Sequence, residues 1–316
     1  MNSSSPSGLP AQPLKLGTRR SPLAMAQAYE TRARLCAAHG WPESMVELVP
    51  VTASGDKILD RPLADIGGKA LWTKELDAWL FTGEIDFAVH SMKDVETVRP
   101  EEFVIAAVLP RADVRDVLVG AASIQAIPPG ARVGTSAPRR AALMLHARPD
   151  LTVVGFRGNV ATRLAKLEAG EADVTLLAAA GLQRLGETGV GQPLSESEWM
   201  PAPAQGAIGI ECLEGRTDVR AWLAAIDDKP SHDAIRAERA LLLALGGNCH
   251  SPIAVLTTHN DASLTMRAAI FSPDGVERVE ASETFGPADF EAPARLAHNL
   301  LEQAPDTIRV HFHGAG

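Results

Sequence analysis

The sequence predicts an α/β protein built from two similar lobes with a cleft between them, plus a small C-terminal α+β domain. Three observations favour this fold class. Short apolar runs of strand length alternate with amphipathic runs of helix length through most of the 316 residues. The alternation restarts after Asp113, and after Ser231 it changes to one long helix followed by three strand-like runs. Such alternation is typical of parallel sheets with helices on both faces.

The first lobe begins with a predicted strand over 14–18 and a helix over 21–39. This helix has Ser21 as its N-cap, Pro22 in its first turn and Gly40 beyond its end. Apolar spacing predicts another helix over 69–82. A late strand over 207–212 could return to this lobe and is followed by a helix over 218–226. The other strands of the lobe are predicted over 46–52, 85–89 and 103–109.

The rest of the chain divides into a second lobe and a C-terminal domain. The second lobe has predicted strands over 117–120, 132–135, 152–156 and 174–179, and helices over 137–147 and 160–169. The C-terminal domain has helices over 233–245 and 289–303 and strands over 253–258, 264–270 and 276–284. The predicted boundaries are 1–108 with 204–226, 109–203, and 227–316, and we expect residues 1–13 to be a disordered tail.

Charge and composition exclude several classes of partner. The net charge is −9 at pH 7, with 46% hydrophobic and 22% charged residues, which is typical of a globular protein. A negative protein is a poor match for nucleic acid, so any anionic ligand has to be held by locally clustered cations. No run reaches the ~18 apolar residues of a membrane span, and the polar N-terminus does not resemble a secretory signal. We therefore expect a cytoplasmic protein with no nucleic-acid or membrane partner.

Arginines cluster where predicted strands lead into helices. The three segments are GTRRSPLA, GTSAPRR and RGNVATR. Cations at a helix N-terminus oppose the helix dipole unless an anion docks there, and arginine binds carboxylates through two parallel hydrogen bonds. Because no phosphate-binding GxxxxGK[ST] motif occurs, these segments favour several carboxylates over a nucleotide. The polar residues concerned are Arg19, Arg20, Ser21, Thr135, Ser136, Arg139, Arg140, Arg157, Asn159 and Arg163.

The segment DFAVHSMKDVE places Lys93 and Asp94 at the carboxyl end of a predicted buried strand. Beside a cationic cleft, this pair is either an electrostatic catalyst or a plain ion pair of a loop. The segment GDKILDRPLADIGGKALW is either a mobile lid or a long connection. His90 and His250 have no histidine partner at metal-binding spacing, so we expect structural roles for both and no metal site.

Three cysteines are spread along the chain without a Cys-x-x-Cys pair. No disulfide framework or zinc site is therefore predicted. Cys36, in an amphipathic helix, and Cys212, in a strand, are expected to be buried and inert. Cys249 lies in a glycine-flanked loop without apolar neighbours, which offers access. Its thiol is predicted to be a nucleophile or a covalent attachment point, and His250 is the only nearby base that a cysteine hydrolase could use.

The ordered motifs resemble those of the porphobilinogen deaminase (hydroxymethylbilane synthase) family over nearly the whole chain. They are TRRSPLA, GDKILDRPLADIGGKALWTKEL, AVHSMKDVE, GTSAPRR, FRGNVATRL, AAAGLQRLG, PAPAQGAIGIEC and LGGNCHSPI. The resemblance implies two lobes like those of periplasmic binding proteins and a C-terminal α+β domain. It also implies a transferase of tetrapyrrole biosynthesis, which condenses four porphobilinogen molecules on a covalent dipyrromethane cofactor and then releases hydroxymethylbilane.

The resemblance assigns roles to matching positions. Cys249 carries the dipyrromethane through a thioether, and Asp94 is the catalytic carboxylate, which stabilises positive charge on pyrrole nitrogens. A mobile loop includes Lys69 and Trp72. The small-molecule substrate is porphobilinogen, and nothing requires more than a monomer. The cofactor carboxylates are held by Lys93, Ser136, Arg139, Arg140, Arg163 and Arg184, whereas substrate and growing chain are held by Arg19, Ser21, Arg157 and Gln205.

The sequence departs from the family pattern at a few positions. Asp65 replaces a frequent lysine, Ala137 and Pro138 replace serine and leucine, Asn248 replaces glycine, and Glu96 replaces proline. On this resemblance we expect a cationic loop contact and one serine hydrogen bond to the cofactor to be missing.

Two rival functions follow from the same sequence. A non-catalytic solute-binding protein shares the two-lobed architecture, but it gives Cys249 no role and would need an export signal. A cysteine hydrolase would be labelled by acyl substrates.

Overall fold

Three separate β-sheets organise the computed structural model, which describes residues 9–51, 70–248, 250–260 and 262–312. Two sheets have five strands and the third has three. By contacts, the chain divides into two compact units. One contains Met1–Arg111 and Ala207–His232, and the other contains Ala112–Gly206 and Asp233–Gly316.

The first unit contains a five-stranded sheet with the strand order β2-β1-β3-β10-β4. Strands β1, β2 and β3 are parallel, whereas β10 is antiparallel to both β3 and β4. The late strand thus returns to this lobe, in agreement with the sequence-based expectation. The elements are β1 (Leu14–Arg19), α1 (Pro22–His39), β2 (Val46–Val51), α2 (Ala70–Thr82), β3 (Phe87–Ser91), β4 (Phe103–Val108), β10 (Ile208–Leu213) and α6 (Thr217–Leu223), with short 3₁₀ turns at Glu43–Met45, Met92–Asp94 and Ala224–Ile226.

Helix α1 shows how local chemistry sets these boundaries. The Ser21 hydroxyl accepts a hydrogen bond from the Ala24 N–H, Pro22 occupies the first turn, and Gly40 ends the helix with a φ of 66°. Side chains of β3 alternate between two cores. Phe87 and Val89 belong to one core, and Ala88 belongs to the other. The sheet is therefore covered on both faces, as predicted.

The second unit contains the other five-stranded sheet, with the order β7-β6-β8-β5-β9. Strands β6, β7 and β8 are parallel, whereas β5 runs antiparallel to β8 and β9. Its elements are β5 (Asp116–Val119), β6 (Arg132–Gly134), α3 (Pro138–Ala147), β7 (Thr152–Val154), α4 (Val160–Glu168), β8 (Val174–Ala178), α5 (Ala179–Arg184) and β9 (Gln192–Pro193).

The same unit contains a three-stranded antiparallel sheet in the order β11-β12-β13. One face packs against the helices around Leu241 and Leu296. The other face contributes Ala254, Ala269 and Phe271 to the core of the second lobe. The C-terminal sheet and the second lobe therefore share one core. The elements are α7 (Lys229–Ala244), β11 (Ile253–Asn260), β12 (Ser263–Phe271), β13 (Arg278–Phe285), α8 (Ala292–Gln303) and α9 (Asp306–Arg309).

A buried carboxylate strengthens this connection. The Glu238 side chain of α7 is fully buried and accepts hydrogen bonds from the backbone N–H groups of Ala204 and Thr257. Ala204 has a φ of 58°, a left-handed conformation that is uncommon for a residue with a side chain. Glu238 thus joins helix α7, strand β11 and the segment that ends the second lobe.

The prediction of parallel sheets was wrong in one respect, because both five-stranded sheets are mixed. A strand that enters a sheet from another part of the chain does not need the helical crossover that forces parallel pairing. Helix α5 and strand β9 were not predicted, since both are short.

Lys69, Asp65 and residues 1–8 of the predicted tail lie outside the described residues. In the described part of the chain, no helix combines the length and the apolar character needed to cross a membrane.

Candidate functional site

The first unit brings Arg19 and Asp94 to one edge of its sheet. Strand β1 ends at Arg19, and β3 ends at Ser91, immediately before the 3₁₀ turn that contains Lys93 and Asp94. The two strands are parallel neighbours, with Leu16 paired to Phe87. Their carboxyl ends therefore lie at the same edge, where ligands bind in open α/β sheets.

Backbone and side-chain hydrogen bonds hold this edge together. The Met92 N–H donates to the Ala207 carbonyl oxygen over 3.1 Å, just before β10 begins. The Gln27 amide of α1 donates to the Ser91 hydroxyl over 2.7 Å. Lys93, Asp94 and Ser21 are half-buried, so all three retain access to solvent. Ser21 already caps α1, and a role for it in substrate binding remains a prediction.

The second unit gathers its predicted anion-binding residues at one sheet edge in the same way. Strands β6, β7 and β8 are parallel, and the loops after their carboxyl ends lead into helices α3, α4 and α5. Ser136 follows β6, Arg157 and Arg163 follow β7, and Arg184 ends the helix after β8. The three arginines are half-buried and Ser136 is exposed.

Local hydrogen bonds orient these loops. The Ser136 hydroxyl accepts from the Phe156 N–H over 2.9 Å, which links the loops after β6 and β7. The Arg163 Nε donates to the Gly158 carbonyl oxygen over 3.0 Å, and an Arg184 nitrogen donates to the Gly206 carbonyl oxygen over 3.0 Å. Asn159 caps α4 through its side chain. The loops are therefore preorganised, with their cations at the carboxyl edge of the sheet.

Arg139 and Arg140 differ from the other arginines because both are buried against a carboxylate. Their guanidinium groups each approach Asp116 within 2.7 Å, one at each carboxylate oxygen. Trp199 Nε1 donates to the same carboxylate over 2.9 Å, and so does the Gln205 amide. Asp116 is completely buried. The anion predicted at the start of helix α3 is, in this structure, the side chain of Asp116.

The two positive charges of this cluster favour the ionised form of Asp116. Burial opposes ionisation of Asp116, but the positive charges of Arg139 and Arg140 outweigh it, together with hydrogen bonds from Arg140 and Trp199. The pKa of Asp116 is consequently far below its usual range. The Nε atoms of both arginines are buried and have no hydrogen-bond partner among the described residues. Sequence reasoning missed Asp116, although an aspartate at the start of the apolar run DVLV was a possible signal.

We expect Asp116→Ala to destabilise the protein by about 3–5 kcal/mol, because it leaves two buried guanidinium groups without their counterion. Urea unfolding measures this loss. Asp116→Asn keeps the shape and removes only the charge. Since the folded-state pKa of Asp116 is depressed, the charge stabilises the fold above about pH 4 and progressively less below it.

The stability difference between the unmodified protein and Asp116→Asn should therefore shrink on acidification below about pH 4. The matched control is Asp150→Asn, which removes an exposed partner of Arg148 and should leave the unfolding midpoint nearly unchanged. Equal effects of the two Asn variants would contradict the importance assigned to the buried cluster.

The residues flanking Cys249 form a turn, although Cys249 itself lies outside the described residues. The Asn248 side-chain oxygen accepts from the His250 N–H over 2.8 Å, and the Asn248 N–H donates to the Ser251 hydroxyl over 3.0 Å. A glycine at position 248 would lack the first of these bonds. Asn248 therefore stabilises this turn through a side-chain hydrogen bond that the glycine frequent in the family cannot make.

The other cysteines and His90 have structural environments, as predicted. Cys36 and Cys212 are buried free thiols, and burial raises the pKa of Cys212 to about 11. His90 is buried, with its Nε2 atom 3.1 Å from a Glu211 carboxylate oxygen. Across the described ranges, no group of three or more His, Cys, Asp or Glu side chains is arranged to hold a metal ion.

The chain matches two family descriptions. Residues 14–221 match "Porphobilinogen deaminase, dipyromethane cofactor binding domain", and residues 233–304 match "Porphobilinogen deaminase, C-terminal domain". These two regions cover most of the chain and leave only short segments at the ends and between them.

Similar full-length proteins carry the same name. The porphobilinogen deaminase of Sphingopyxis alaskensis is 54% identical over 309 residues, covering 96% of this chain and 98% of its own. That of Paracoccus denitrificans is 48% identical, covering 94% and 96%. A periplasmic substrate-binding protein of an ABC transporter from Coxiella burnetii covers 71% of this chain and 96% of its own, with a TM-score of 0.40 and 13% identity.

Proposed function

The chain belongs to the porphobilinogen deaminase family, and on this basis we propose how its residues divide the work. The reaction is that of the family: porphobilinogen is deaminated and condensed head to tail, and hydroxymethylbilane is released together with ammonia. The enzyme is a transferase of tetrapyrrole biosynthesis and uses dipyrromethane as its cofactor. The roles of individual residues form our proposal.

Asp94 acts as the catalytic carboxylate. The single observation that carries this assignment is its position after β3, beside the end of β1 and half-buried in a short 3₁₀ turn. A carboxylate held there can accept hydrogen bonds from pyrrole N–H groups of the substrate. It stabilises the positive charge that develops on the ring nitrogens when ammonia leaves and when the new carbon–carbon bond forms. The same carboxylate can take up and return a proton.

The edge of the second lobe fits a ligand with several carboxylates. Its loops present arginine and serine donors from three adjacent strand ends, and the buried Nε atoms of Arg139 and Arg140 have unused donor capacity. Bound dipyrromethane supplies the primer on which the product chain is built. Ser136, Arg163, Arg184 and Lys93 would hold its carboxylates, and Arg139 and Arg140 join them in our proposal.

Cys249 is the attachment point of the cofactor. Its neighbours Asn248, His250 and Ser251 form a turn held by backbone and side-chain hydrogen bonds. A thiolate is a far stronger nucleophile than a serine oxygen toward a carbon electrophile. The attachment gives this cysteine of the C-terminal domain a chemical role. Arg19, Ser21, Arg157 and Gln205 complete the proposal as ligands of substrate and growing chain.

Gln205 differs from the other proposed substrate ligands because it is buried and already hydrogen-bonded within the protein. Its amide nitrogen donates to the Val114 carbonyl oxygen over 2.6 Å and to Asp116 over 2.9 Å. In this arrangement its contribution to substrate binding would come through the Asp116 cluster.

Arg163→Leu and Arg157→Leu should separate cofactor binding from substrate binding. We expect Arg163→Leu to yield protein that is partly or wholly without cofactor after purification. We expect Arg157→Leu to carry cofactor but to add substrate or extend the chain slowly. Each lost charge-assisted contact should weaken the corresponding binding by about ten- to a hundredfold. Intact-mass spectra before and after brief exposure to porphobilinogen measure both effects.

Arg132→Leu is the matched control, because Arg132 lies at the amino end of β6 and pairs with Asp173 away from the carboxyl edge. Arg132→Leu should have the same bound pyrroles as the unmodified protein, both before and after exposure to porphobilinogen. Arg139→Leu and Arg140→Leu should also lose cofactor. Each of these variants removes one counterion of the buried Asp116, so their cofactor content must be compared with that of the unmodified protein at the same fraction of folded protein. Identical pyrrole patterns for Arg157→Leu and Arg163→Leu would mean that the arginines act as one undivided set.

Three further assignments complete the proposal. The three-domain division at 1–108 with 204–226, 109–203 and 227–316 is supported by the presence of three sheets. A cytoplasmic location is supported by the free thiols of Cys36 and Cys212, since disulfides are rare in reducing compartments. A monomer is the simplest assembly, and light scattering on the purified protein tests it.

A further inference from the structure

A buried carboxylate lies in the middle of the first sheet, where the proposed mechanism gives it no role. Glu211 is on β10, paired with Ala88 of β3 on one side and Ile105 of β4 on the other. The residue is fully buried. A charge in such a position is costly unless it is paired and hydrogen-bonded. Its partners therefore indicate why the sequence places an acid in the apolar run AIGIEC.

The partners of Glu211 lie at the two ends of the segment that carries Lys93 and Asp94. At one end, His90 Nε2 is 3.1 Å from a Glu211 oxygen. At the other end, Arg99 donates two parallel hydrogen bonds of 2.9 Å to the two oxygens of the same carboxylate. The Glu211 side chain thus contacts both His90 and Arg99, which lie on either side of Asp94 in the sequence.

Arg99 is fixed by further contacts. It donates to both oxygens of Asp77 on α2, over 2.6 and 3.1 Å, and to Glu96 over 3.3 Å. Its guanidinium also lies 4.9 Å from the centre of the Phe103 ring. Arg99 therefore links Glu211 to helix α2 and to the segment that follows Asp94.

The turn that carries Lys93 and Asp94 is short. It is a single 3₁₀ turn over Met92–Asp94 without a side-chain cap, closed by a bond of 3.3 Å from the Val95 N–H to the Met92 carbonyl oxygen. Such short turns have poor hydrogen-bond geometry and little intrinsic stability. The position of this turn therefore depends in part on how firmly the flanking residues are held.

Glu211 remains ionised under working conditions. Burial raises its pKa, but the close contact with His90 and the hydrogen bonds and charge of Arg99 outweigh this effect and lower the pKa to about 2. Both partners therefore face a full negative charge at neutral pH.

We propose that Glu211 is a positioning residue for Asp94, which acts by fixing both ends of the segment 90–99 through His90 and Arg99. This inference rests on the proposed catalytic function of Asp94. Glu211 does not contact substrate in this proposal. It holds the carboxylate of Asp94 where charge develops in the transition state, and misplacement by even about 1 Å can reduce a rate by about a hundredfold.

The test compares Glu211→Gln with a matched carboxylate-to-amide control. Asp86→Asn removes a carboxylate just before the same strand β3, where it pairs with Arg216 over 2.8 Å at the opposite end from Asp94. We expect Glu211→Gln to carry normal cofactor by intact mass and to lose about ten- to a hundredfold in kcat, with KM changed by less than about threefold. Asp86→Asn should leave kcat within about threefold.

A double variant distinguishes positioning from a general loss of stability. If Glu211 acts through Asp94, adding Glu211→Gln to Asp94→Asn should cost little more than Asp94→Asn alone, because residues that act as a unit are not additive. A fully multiplicative loss, or an unchanged kcat in Glu211→Gln, would overturn the inference. A small effect of Asp94→Asn itself would instead contradict the proposed function.

Arg99→Lys tests the same inference if Glu211→Gln does not fold. Lysine keeps the charge but cannot make two parallel bonds to one carboxylate. We expect the same pattern of reduced kcat, retained KM and retained cofactor, with far-ultraviolet circular dichroism unchanged. Activity equal to that of the unmodified enzyme would exclude the connection through Arg99.

Discussion

Cys249→Ser should give a folded protein that lacks the thioether-linked cofactor and has lost nearly all activity. The serine hydroxyl is essentially un-ionised at neutral pH and is a much weaker nucleophile than a thiolate, so the primer cannot be attached at a useful rate. We expect a loss of at least about a hundredfold in turnover. The fold should survive, because the neighbouring turn is held by bonds from Asn248 and Ser251.

Intact mass of the purified protein is the direct measurement. The unmodified chain should show a covalent excess equal to two linked pyrroles, and Cys249→Ser should show none. Cys36→Ser and Cys212→Ser are the controls, since both thiols are buried and should leave the excess unchanged. Full activity of Cys249→Ser without a covalent pyrrole would rule out the anchor. The same spectrum separates this enzyme from a solute-binding protein and from a cysteine hydrolase.

Asp94→Asn should reduce turnover by about a hundred- to a thousandfold, or about 2.7–4 kcal/mol in transition-state free energy. The amide keeps the size and most hydrogen-bonding capacity of the side chain but removes the negative charge. The lost energy therefore reports electrostatic stabilisation of cationic transition states. Substrate binding should change much less, because we propose that other residues hold the carboxylates of the substrate.

Single-turnover experiments followed by mass spectrometry measure the rate of each pyrrole addition. In Asp94→Asn every addition should be slow, with pyrrole intermediates accumulating on the chain. The carboxylate of Asp86, at the opposite end of β3 from Asp94, again serves as the control. A loss smaller than about tenfold would assign the principal electrostatic role to another residue.

Most elements of the fold could be predicted because their signals are local. The cap of α1 at Ser21 and its end at Gly40 depend on residues within one turn, and the structure confirms both. The return of β10 to the first sheet was also predicted. The mixed pairing of β10 and β5 was not, because strand direction depends on where distant segments enter a sheet. Apolar alternation carries no such information.

The candidate site shows the same limit. The arginine-containing loops and the Lys93–Asp94 segment were noticed because they follow predicted strands. The individual roles, including those of Asp94 and Arg184, came from the resemblance to the family. Asp116 and Glu211 were missed because each is a single acid in an apolar strand, with partners far away in sequence. Arg139 is 23 residues from Asp116, and Arg99 is 112 residues from Glu211. An acidic residue within a predicted buried strand nevertheless indicates that a basic side chain from another part of the sequence pairs with it.

The shared core of the C-terminal sheet and the second lobe bears on how a covalent intermediate can travel. In many multistep syntheses a flexible carrier domain moves a covalently bound intermediate between successive active sites. Here Phe271 and Ala254 pack into the core of the second lobe, and Glu238 bonds to both Ala204 and Thr257. The domain that carries the proposed anchor therefore packs directly on the second lobe. If Cys249 is the anchor, the covalent bond retains every intermediate on the enzyme until the final hydrolysis.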